Sequence, residues 1–73
     1  MNAHAEYMTL AKASQEAFRI SERTYATIGR LYAQGKPVPE TLVALAAERQ
    51  QVWAKLSAEA EAFHRAHFPS EAA

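Results

Sequence analysis

Gly35-Lys36-Pro37-Val38-Pro39-Glu40 is the only stretch of this sequence where a glycine and two prolines fall between two long helix-compatible runs. Gly35 has no Cβ, so it takes the left-handed conformation that ends a helix at little steric cost. Arg30, one turn earlier, suits the negative end of a helix dipole. Lys36 and Val38 each precede a proline, which drives both toward extended geometry. Pro39 suits a first helical position, where a missing N–H goes unnoticed, and Glu40 follows where negative charge is favoured. A connection this short makes the two helices antiparallel neighbours. The reading predicts an all-α, antiparallel two-helix hairpin forming one domain over residues 1–73. Its first helix spans about residues 3–34, its loop 35–38, its second helix about 39–67, and its tail, frayed, 68–73.

Composition agrees. Alanine is frequent, glycine occurs only at Gly29 and Gly35, and β-branched residues are sparse, a mixture that favours helix throughout. The absence of cysteine removes disulfides, thiolate metal sites and thiol nucleophiles. Eight basic and eight acidic residues cancel, which argues against a general polyanion binder. No apolar run approaches the roughly 18 residues of a membrane span, and no basic-then-apolar leader opens the chain. A cytoplasmic setting is the expectation.

Outward from the loop, Asn2 is placed to cap the first helix. Ala11, Phe18, Tyr25 and Tyr32 recur every seven residues, beside a row of Tyr7, Ser14, Ser21 and Ile28. Leu10, Ala17, Thr24 and Leu31 widen the stripe to a face, and Ile20 falls off it. On the second helix Leu42, Leu45, Ala46, Val52, Trp53, Leu56, Ala60 and Phe63 share a side, with Ser57 on the watery one. Folding at the loop sets Ile28 opposite Leu45, Phe18 near Leu56, Tyr7 near Ala66, and Ser21 and Thr24 near Arg49. The same fold sets Ser14 near Glu59, and Arg49 and Glu59 then either snorkel at the seam's edge or fix its register.

Two helices bury only the strip between them, while the large apolar residues cover more than one strip. The expectation is a homodimer, two hairpins making a four-helix bundle, with an association face of Phe18, Tyr25, Ile28, Leu45, Trp53, Leu56 and Phe63. The half before Pro37 carries five basic and three acidic residues and the remainder three and five, which favours unlike helices side by side. Protein–protein interaction is the expected function, as an adaptor, regulator or accessory subunit.

Three other patterns carry both a functional role and a plainer one. His4, Glu61, His64 and His67 gather at the open end of the hairpin as candidate metal ligands, although histidines in a last turn also suit the helix dipole. Lys12, Arg19, Arg23 and Arg30 form a basic row that a nucleic acid could follow, opposed by Glu16 and Glu22 within the same surface. Ser14, Ser21 and Ser57 lack a base-and-acid arrangement, and no phosphate-binding glycine loop occurs. No catalytic activity and no cofactor are expected.

Overall fold

A computed structural model describes residues 2–69 as two helices, α1 (Ala3–Ala33) and α2 (Glu40–His67), packed as an antiparallel hairpin. The α1 start is set by Asn2, whose side-chain oxygen accepts from the backbone N–H of His4 and Ala5 at 3.0 and 3.3 Å. Its end is a Schellman closure: Gly35 at φ +68° donates its N–H to Tyr32 O, and Lys36 donates to Leu31 O at 2.9 Å. Gln34 is already the cap of α1 rather than its last helical residue.

Pro39 differs from expectation by one position. Its ψ of 140° is extended, so it caps α2 and Glu40 becomes the first helical residue. The cap works through the backbone alone, with Pro39 O accepting from Leu42 and Val43 N–H. Phe68 leaves helical geometry before Pro69, yet it is not frayed. It is half-buried, with its ring 6.1 Å from Tyr7 and 5.2 Å from His64. The remaining expectation for the tail, residues 70–73, lies outside the described residues.

The seam is made of small side chains. Among the described residues only Ala17, Ala46 and Ala60 are buried apolar residues, joined by buried Ser21 and Thr24, and no large side chain is fully buried. Leu10, Ser14, Ile28, Leu31, Leu42, Trp53, Leu56, Ser57 and Phe63 flank them half-buried. The Phe18–Tyr25–Tyr32 row lies outside the seam, because helices that meet over Ala17, Ser21 and Thr24 leave no room for those rings between them. Ser57, expected in water, sits half-buried instead.

The molecule is thin, 51 × 25 × 15 Å. Its radius of gyration is 16.3 Å, against about 11 Å for a compact domain of this length. It exposes 5621 Å², roughly 1,100 Å² more than the approximately 4,500 Å² expected of a folded monomer of its mass. One hairpin therefore has an inside only one alanine deep.

Candidate interaction faces

Because the seam takes the small residues, the large ones are sorted onto the two broad sides of the hairpin. The first side is aromatic. Phe18, Tyr25 and Tyr32, spaced by seven on α1, are 43%, 44% and 82% exposed, and Val43 on α2 is also exposed. The Phe18 ring meets Trp53 at 5.4 Å in a tilted pair. Tyr25 Oη donates to Gln50 Oε1 at 2.7 Å, tying the ring's polar tip to α2. Phe18, Ser21, Glu22, Tyr25, Gln50 and Trp53 line a shallow concavity of about 240 Å³. Aromatic rings with a bonded polar tip make large contact area at small entropy cost.

The opposite side is aliphatic. Ile20, Val52, Ala17 and Arg49 line a groove of about 250 Å³, and it continues toward the loop between Arg23, Thr24, Thr27, Leu42 and Arg49. Leu45, one seven-residue step before Val52, belongs to the same row and is exposed. Arg49 Nη1 donates to Thr24 Oγ1 at 2.8 Å, and Thr24 in turn donates to Ile20 O at 2.9 Å. Arg49 therefore does both: its side chain lines the surface groove and its bond to Thr24 ties the two helices in register. Ile20, which falls off the stripe by periodicity, sits on this side face, where its neighbours come from the other helix.

The expected association residues thus divide three ways. Phe18 and Tyr25 stand on the aromatic side with the exposed edge of Trp53, Leu45 stands on the aliphatic side, and Ile28, Leu56 and Phe63 are half-buried along the seam. Sequence reasoning missed Ile20 as a surface contact. The signal was the pairing of Thr24 with Arg49, which fixes which rows turn inward.

At the open end Tyr7 lies 5.1 Å from His64, and Phe63 stacks on His67 at 4.1 Å. His4 and Glu61 are exposed. Among the described residues no three His, Cys, Asp or Glu side chains come together to hold a metal ion. Lys12, Arg19, Arg23 and Arg30 are all exposed along the outer edge of α1, with Glu16 amid them. No described helix is long and apolar enough to cross a membrane. The chain matches no protein family, and neither a characterised protein nor a solved structure resembles it significantly.

Proposed function

We propose that this chain is a small self-associating helical protein that serves as a protein–protein interaction module, two copies forming a four-helix bundle. The observation that supports it is the sorting of side chains: alanines fill the seam while Phe18, Tyr25, Leu45 and Val52 stay in water. Exposed apolar area of that extent on a small domain marks a surface meant to be covered. The excess of roughly 1,100 Å² over a compact monomer is of the order that one partner contributes to a stable interface, about 800 Å². Tyr and Trp, over-represented where binding energy concentrates, stand together on one side as Tyr25 and Trp53. Sedimentation equilibrium at micromolar concentration tests the association, with a dimer expected; a stable, folded single chain there removes the proposal. Trp53→Asp places a charge beside Phe18 and Ser21 and is expected to lower helicity and, because a loosened hairpin no longer presents its docking side, to weaken association with it; a fully helical, fully associated variant contradicts that role.

A second reading has one observation behind it, the exposed row of Lys12, Arg19, Arg23 and Arg30, which Glu16 interrupts. Here a dimer follows nucleic-acid phosphates with two such rows. Binding to a short RNA or DNA duplex then weakens steeply with salt, and a gel shift that shows no complex at low salt removes this reading.

A further inference from the structure

We infer that the second copy docks on the aliphatic face, loops at opposite ends, with Arg49 paired to the second copy's Glu59. The inference rests on the self-association proposed above and assigns its surface and orientation. Its basis is an ordered charge pattern. Arg49 lines the aliphatic groove on the loop side of Val52, and Arg23 lines its continuation. Glu59 lies seven residues beyond Val52, and Glu16 seven before Arg23, which puts each on the row of its namesake but toward the open end. Beside the groove the sign is therefore positive on the loop side of Ile20 (Arg23, Arg49) and negative on the other (Glu16, Glu59), with Ile20 and Val52 between; Lys12 and Arg19, exposed on the outer edge of α1 toward the open end, oppose that pattern from further out.

The register makes the pattern self-complementary. Bonds from Thr24 to Arg49 and from Tyr25 to Gln50 set residues 19–20 of α1 level with residues 53–54 of α2. Arg49 and Glu59 are equidistant from residue 54, and Glu16 and Arg23 flank residues 19–20. A single two-fold axis at that height, perpendicular to the helices, brings Arg49 over the second copy's Glu59 and Arg23 over its Glu16. Each pair occurs twice, as an isologous contact requires. Ile20 and Val52 meet their own copies near the axis. With the loops at the same end, Arg49 would instead face the second copy's Arg23, and Glu59 its Glu16. Glu48 and Lys55 run the other way one row further out, where both are exposed and screened. Arg49 has a further reason to seek a carboxylate. Its guanidinium is half-buried and, apart from Thr24, has donors to spare. The aromatic face, turned outward on both sides of such a dimer, is left for another protein.

Charge reversal tests the pairing. Arg49→Glu and Glu59→Arg each set two like-charge pairs into a homodimer, and each is expected to raise the dissociation constant at least tenfold. Mixed one to one, the two variants restore both attractive pairs and should form a heterodimer of near wild-type affinity. The double variant should also recover. Circular dichroism keeps folding separate from association, and Glu59→Arg changes an exposed residue away from the buried seam. Single variants that dimerise like wild type, or a mixture no tighter than its components, overturn the assigned face while leaving self-association standing. A wild-type chain that stays monomeric overturns both.

Discussion

Two glycines of the same chain carry opposite consequences. Gly35 sits at φ +68°, where any L side chain is strained by roughly 1–2 kcal/mol. Gly29 lies in regular helix, and a Cβ built there meets nothing within 4 Å, so alanine should stabilise by up to about 1 kcal/mol. Gly35→Ala is expected to lower the melting temperature and Gly29→Ala to raise it, by thermal circular dichroism at fixed concentration. A Gly29→Ala loss would mean that another backbone closes on it. Thr24 is the other decisive residue, since it both accepts from Arg49 and donates to Ile20 O. Thr24→Val keeps the shape and strands part of a half-buried guanidinium, with an expected cost of about 1.5–3 kcal/mol. If Thr24→Val melts like the parent, the bond does not hold the register.

At the scale of the helices, the ends were legible and the faces were not. Asn2, Gly35 and the prolines act through their own backbone and near neighbours, so a short stretch of sequence contains everything that decides them. A seven-residue row says which residues share a side, but not which side meets the other helix. Phe18, Tyr25 and Tyr32 recur as regularly as Ala17, Thr24 and Leu31, and size alone would nominate the rings for the inside. What decides is which rows meet across the seam, with Thr24 bonded to Arg49 and Ser21 beside Gln50 and Trp53, a tertiary fact. Phe18, Tyr25 and Leu45 could be chosen from the sequence as sticky residues; that they stand on two different sides could not. Packing over small side chains is also intolerant. Ala46 is 1% exposed, and Ala46→Leu should push the helices apart at a cost of about 1–3 kcal/mol, read as a lower urea midpoint. The same change at Ala54, which is exposed, should be nearly neutral.

For the molecule as a whole, stability and concentration are linked. If a second copy supplies the cover that one hairpin lacks, binding adds to folding by mass action, and dilution from about 100 μM to 1 μM should lower the melting temperature by several degrees. A melting temperature independent of concentration would mark a self-sufficient monomer. The 15 Å thickness has one more consequence. Every peptide N–H in a plank this thin sits a single side chain from solvent, and nothing inside can shelter its neighbours during a local opening. Deuterium should therefore enter both helices of the isolated chain at nearly uniform speed, with no slow nucleus. Only contact across a broad side would create one, so the amides whose exchange slows as protein is added would trace the outline of whatever lies on top.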